Sequence, residues 1–285
     1  MGSIYGREMN DELIKDCEDA GKCLDEMELF IENKSYDMAM ERLNHCLRPE
    51  ILSRYGEAAQ GEVRINVEEA FEAVIAANYL YPKDNIILEK YPFGALYFYR
   101  GTVSLLKKEY DAARKDYFLA KNRAPASFLF AFRYGEEFKR NGDMRSYLES
   151  TRELFTIAFR PGDIAQCFRN MGYFFVEEQQ YRLARTFYVM STFHQEKNEA
   201  VEKELEYISR VTGGTIDSTS RSDVEYAVRE YDIPLLGNTE LLNLATQMAH
   251  YYLEKGEKEM TRYYFDIAYN MSQKDRIEGL IGKLG

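Results

Sequence analysis

Between residues 94 and 127 apolar positions recur at helical spacing in two blocks. The first carries Leu96, Tyr97, Val103, Leu105 and Leu106, with Gly101 in its middle. The second carries Tyr110, Ala113, Tyr117 and Ala120 and stops at Pro125, which cannot continue a helix. Glycine inside a helix costs about 1 kcal/mol relative to alanine, so Gly101 needs a compensating reason. Close approach of a neighbouring helix supplies one: Ala113 and Ala120 are small, and Tyr110 and Tyr117 fill the space beside them. The pattern predicts two antiparallel helices packed through small residues.

The pattern returns. In 128–161, Gly135 stands 34 residues after Gly101, and Gly142-Asp143 marks the break between helices, with Asp143 as the N-cap of the second. In 165–198, Gly172, Phe175, Tyr181, Ala184 and Tyr188 take the same places. Ala249, Tyr252, Gly256, Phe265 and Ala268 do so in 242–275, and a weaker copy (Met27, Phe30, Tyr36, Ala39, Leu43, Cys46) covers 20–53. Self-similarity at 34 residues is the signature of stacked helix pairs. Residues 54–93 read as a further divergent helical pair, with 67–82 its clear helix. Residues 199–241 read as a degenerate repeat or an insertion: a helix ended by Gly213-Gly214, a loop, then a helix capped by Ser220 or Ser222. Residues 274–285 read as a last helix capping the array, and 1–19 as an N-terminal segment.

On these residues the chain resembles the tetratricopeptide repeat family. Copies at 94–127 and 165–198 carry the likeness best. The family's early tryptophan is replaced by Tyr97, Ala131, Phe168 and Ala245, and the alanine of its second helix by Tyr147 and Thr261. The resemblance implies an all-α, right-handed superhelical solenoid of antiparallel helix pairs. It also implies a concave groove, lined by the first helix of each pair, that holds a peptide. Carried over unit by unit, that face takes Phe98, Thr102 and Leu105; Phe132, Glu136, Lys139 and Arg140; Gln166, Arg169 and Tyr173; and Asn243, Thr246 and His250. Phe98, Phe132, Lys139, Arg140, Arg169, Tyr173 and His250 are the expected peptide-binding residues, aromatics giving contact area and arginine a fork for carboxylate. The sub-family that reads chaperone tails carries a lysine and an asparagine in its first groove helix. Phe98 with Thr102 and Phe132 with Glu136 do not match that pair.

Charge sharpens the expectation. The net charge is −11, yet residues 94–198 hold 17 Lys+Arg against 12 Asp+Glu and the remainder 20 against 36. Overall acidity argues against nucleic-acid binding, which needs a dense basic surface. A basic middle in an acidic chain suits a partner segment that is acidic or bears a free carboxylate. No apolar run is long enough for a bilayer, no apolar signal core opens the chain, and Gly6 stands where a myristoylation signal carries Ser or Thr; a cytoplasmic protein is expected.

Candidate chemistry is sparse, and no cofactor is expected. Cys17, Cys23, His45 and Cys46 cluster in sequence, but their spacing fits no common zinc site, so no metal is expected and the cysteines read as reduced core residues. Thr212-Gly213-Gly214-Thr215-Ile216 matches the letters of an asparaginase-type site but lies between helices rather than after a strand. No nucleophile elbow, phosphate loop or dinucleotide fingerprint is present. The reading is therefore a non-enzymatic interaction module. Its competitors are a hydrolase using His250 or His194 with a carboxylate, and a structural protein that self-associates through its aromatic surface.

Overall fold

A computed structural model describes residues 3–6, 10–56 and 61–284. Among the described residues the chain is all-α apart from one small sheet, and it divides into two compact units, residues 1–137 and 138–285.

The first unit begins with β1 (Ser3–Gly6), α1 (Asp11–Glu32), α2 (Tyr36–Cys46) and α3 (Pro49–Tyr55). Then come β2 (Glu62–Ile65), α4 (Ala70–Ile75) and β3 (Asn85–Leu88), followed by α5 (Phe93–Leu106) and α6 (Tyr110–Arg123). It ends within α7 (Phe128–Arg140). Leu13, Met27, Leu43, Tyr91, Phe93, Leu96 and Phe130 belong to one buried core, in which the Tyr91 hydroxyl donates to the Cys46 carbonyl at 2.8 Å.

The helical pair expected over 54–93 is corrected here. β1 and β2 flank β3 and both run parallel to it, Ile4 and Val63 each standing beside Ile86. A parallel pair needs a crossover, and α4 with the π-helical turn Ala76–Leu80 provides it between β2 and β3. Ile65 and Ile86 close on Ala76 and Ala77 to form a second, smaller core. Asn66 ties the sheet to the helices: its side chain donates to the Glu89 and Tyr91 carbonyls at 3.0 and 2.8 Å and accepts from the Gly94 amide at 2.9 Å.

The second unit comprises the end of α7, α8 (Met144–Ile157), α9 (Pro161–Glu177), α10 (Tyr181–His194), α11 (Glu199–Val211) and α12 (Arg221–Tyr231). It closes with α13 (Thr239–Glu254), α14 (Lys258–Met271) and α15 (Lys274–Ile281). Phe168 is its aromatic hub, 5.1 Å from Phe155, 6.5 Å from Phe187 and 5.6 Å from His194 between ring centres. The 199–241 segment forms α11 and α12 joined by a loop. Arg182 of α10 reaches Asp223 at 3.4 Å, and Arg185 donates to the Asp217 carbonyl. Ser220 is the residue that caps α12, in a reciprocal capping box with Asp223.

Five hairpins share one turn. Lys34, Lys108, Gly142, Gln179 and Gly256 each stand at the middle of a three-residue connection with φ between 56° and 75°. In each, the following residue donates its amide to a carbonyl five positions back: Ser35 to Phe30, Glu109 to Ser104, Asp143 to Phe138, Gln180 to Phe175 and Glu257 to Tyr252. This is the closure that ends a helix through a left-handed residue. The reason for Gly101 is also visible: a Cβ there would meet the Tyr117 ring at 3.1 Å and the Ala113 carbonyl oxygen at 3.2 Å. At Gly172 a Cβ would meet the Tyr188 ring at 2.9 Å. Both glycines lie 16 residues before the tyrosine they admit.

Candidate functional site

In the second unit a half-open cavity of about 220 Å³ is lined by residues of five elements. Lys139 comes from the last turn of α7 and Tyr147 from α8. Gln166, Arg169, Asn170 and Tyr173 lie along one face of α9, Tyr188 comes from α10, and Asn198 with Ala200, Val201 and Glu204 closes the rim from the start of α11. The i, i+3, i+4 and i+7 spacing of the α9 residues places them on a single helix face.

The hydrogen bonding has one consistent orientation. Arg169 donates from Nε and Nη2 to the Gln166 Oε1 at 3.1 and 2.7 Å, and from Nη1 to the Gln195 Oε1 at 2.8 Å. Guanidinium only donates, so Gln166 presents its oxygen to Arg169 and its nitrogen to Asn170 Oδ1 at 2.8 Å. Asn198 caps α11, its Oδ1 accepting from the Val201 amide at 3.2 Å. The partners of Arg169 are thus neutral amides, and among the described residues it forms no ion pair. Burial lowers its pKa from the usual guanidinium value without removing the charge. Lys139 Nζ lies 3.8 Å from the centre of the Tyr173 ring, a short cation–π contact, and 5.9 Å from that of Tyr147. Tyr188 is buried, and burial, with Glu204 nearby, raises its phenol pKa.

Of the residues expected at a peptide site, Lys139, Arg169 and Tyr173 meet around this cavity. Arg140 is exposed at the end of α7, and His250 is exposed on α13 with its ring edge-on to Phe265 at 5.7 Å. Phe98 and Phe132 belong to the first unit, Phe98 stacked on Phe130 at 4.8 Å and Phe132 parallel to Phe128 at 6.2 Å. The groove face drawn from the first helices omits Tyr147, Tyr188, Asn198 and Glu204, which reach the cavity from α8, α10 and α11. Tyr147 leaves a sequence signal, since it replaces the alanine of the second helix.

The histidines stand apart. His194 is half-buried, stacks on Phe168 and hydrogen-bonds through Nε2 to the Leu235 carbonyl at 2.9 Å; desolvation of the ring holds its pKa down to about 4. His45 lies 3.6 Å from Asp19 at the surface of the first unit. Among the described residues no cluster of His, Cys, Asp and Glu could hold a metal ion, and no helix is long and apolar enough to cross a membrane. No protein-family model matches the chain, and no curated protein matches it significantly.

Proposed function

We propose that the chain is a non-enzymatic, tetratricopeptide-like interaction module that holds a segment of another polypeptide. Its hairpins are read as winding into a right-handed superhelical solenoid. The observation that carries this reading is the second-unit cavity. It is built on one face of the first helix of a hairpin, α9, and it gathers Arg169, Lys139 and tyrosines, with Glu204 at the rim. The common turn in five hairpins supports the repeat reading. The four free cysteines, three of them buried, suit a reducing compartment, and a cytoplasmic setting belongs to the proposal.

Selection of displayed random peptides on the purified full chain tests the module. Enrichment of acidic sequences is expected, with binding lost in Arg169→Glu and in Lys139→Glu combined with Arg140→Glu while circular dichroism shows both variants folded. Ligands that bind both variants as tightly as the parent would remove the groove assignment.

A further inference from the structure

We infer that the second-unit cavity is a monocarboxylate site: Arg169 and the carboxamides of Asn170 and Asn198 take one carboxylate group of the bound segment, and the site discriminates against phosphate. This rests on the polypeptide-binding reading and specifies what that segment must bring.

The hydrogen-bond directions lead to it. With three of its five N–H groups engaged, Arg169 keeps one donor on each terminal nitrogen. Asn170 is 3% exposed, its oxygen is taken by Gln166, and its nitrogen has no partner among the described residues. Asn198 has its oxygen committed to the α11 cap, so its nitrogen is left as a donor as well. The carboxamides have therefore turned their oxygens into the protein and their nitrogens toward the cavity. Asn170 is buried and Arg169 and Asn198 are half-buried; their unused donors are matched by a group that only accepts, and an ionised carboxylate is such a group.

Charge selects the valence. Arg169, whose partners are neutral amides, brings one positive charge to the ligand, and the Glu204 carboxylate in the same lining opposes a second negative charge. A single carboxylate meets both conditions, whereas a phosphate dianion leaves an excess beside Glu204. The volume agrees: 220 Å³ corresponds to about seven water-sized groups, enough for a carboxylate with a few carbons behind it. An aspartate or glutamate side chain and a chain terminus share this chemistry.

Titration of the ¹⁵N-labelled full chain at pH 7.5, reading the Arg169 Nε–H resonance, separates the sources. The probes are N-acetylglycine for a chain end, N-acetylaspartate N-methylamide for a side chain, N-acetylasparagine N-methylamide as the neutral control, and inorganic phosphate. At least one carboxylate should shift that resonance saturably, with the neutral amide and phosphate at least tenfold weaker; the tighter carboxylate names the source. Arg169→Gln should cost about tenfold or more and Arg169→Lys less, because the ammonium keeps the charge while losing the fork. Glu204→Gln should improve phosphate binding. Phosphate or the amide binding as well as the carboxylates, no carboxylate binding at all, or full binding by Arg169→Gln overturns the inference. The two readings fail separately. Displayed ligands indifferent to amidation of their acids and ends would remove the carboxylate site and keep the module. Carboxylate binding with no peptide selected would do the reverse.

Discussion

Gly172→Ala adds one methyl group at the tightest point between α9 and α10. Its carbon would stand 2.9 Å from Cδ1 and Cε1 of Tyr188 and 3.0 Å from Cδ2. Ordinary carbon contacts are about 3.5–4.0 Å, so the ring must retreat by about 0.6 Å or more. Tyr188 is 3% exposed and has packed neighbours behind it. Overpacking of this kind costs about 1–3 kcal/mol, while alanine regains about 1 kcal/mol of helix propensity. The net loss is about 0–2 kcal/mol, too broad to decide anything alone. A double-mutant cycle removes the ambiguity. With Tyr188→Leu in place the flat ring is gone, and Gly172→Ala should then stabilise by about 1 kcal/mol through propensity alone. The coupling energy is the overpacking cost itself, about 1–3 kcal/mol. Urea unfolding followed by circular dichroism reads it, and both sites lie in the second unit, so one transition reports both. Equal effects of Gly172→Ala in the two backgrounds, within about 0.3 kcal/mol, would refute the argument. Gly101 with Tyr117 should couple in the same sense but less strongly, since the contacts there are 3.1 and 3.2 Å.

Other consequences can be measured on the same footing. Because burial holds His194 near 4 while an unfolded histidine protonates near 6.5, the unfolded state binds the extra proton between those values. Stability is therefore complete above pH 6.5 and falls as the pH drops toward 4, by about 2 kcal/mol at pH 5; urea melts of His194→Gln should lack this slope. Asp116 takes a two-pronged bond from Arg100 at 2.8 and 2.6 Å with its side chain 6% exposed, so Asp116→Ala should cost about 3 kcal/mol and Asp116→Asn less, by chemical denaturation. At the turn before α8, Gly142 has φ 71°, and Gly142→Ala should lose about 1 kcal/mol; Gln179→Gly, at φ 57° in the equivalent turn, should shift the melting temperature the other way.

Sequence spacing carries the helix pairs well, and the reasons for its failures are physical. Gly101 is legible because a glycine in a helix interior demands a neighbour, and the Tyr117 ring and Ala113 carbonyl are there. Gly142 and Gly256 mark their turns, but Lys34, Lys108 and Gln179 hold the same left-handed backbone without a residue that advertises it. Only alignment of the copies exposes those three. The sheet escapes for a different reason. β2 and β3 are four residues each, too short for alternation to show, and 67–82 has the apolar density of one long helix. In the structure that helix starts only at Ala70 and widens into a π turn, with Tyr81 donating to the Ala76 carbonyl, before the chain turns toward β3.

The cavity divides along the same line. Gln166, Arg169 and Tyr173 can be placed together from spacing, because one helix face fixes them relative to each other. Tyr147, Tyr188, Asn198 and Glu204 converge on them only through tertiary packing, from positions whose sequence roles are core or cap. Even a complete roster of these residues would leave the chemistry undecided, since carboxamides donate and accept equally well. What decides it is a relay of directions. Arg169 can only donate, which turns Gln166, which in turn fixes Asn170; independently, the Val201 amide fixes Asn198. The carboxamides of Asn170 and Asn198 thereby become donors beside Arg169, with Glu204 the one carboxylate in the lining among the described residues. Reversing one link, as Arg169→Gln does, frees Gln166 to flip and offers Asn170 the opposite partner, so the variant alters the donor pattern as well as the charge.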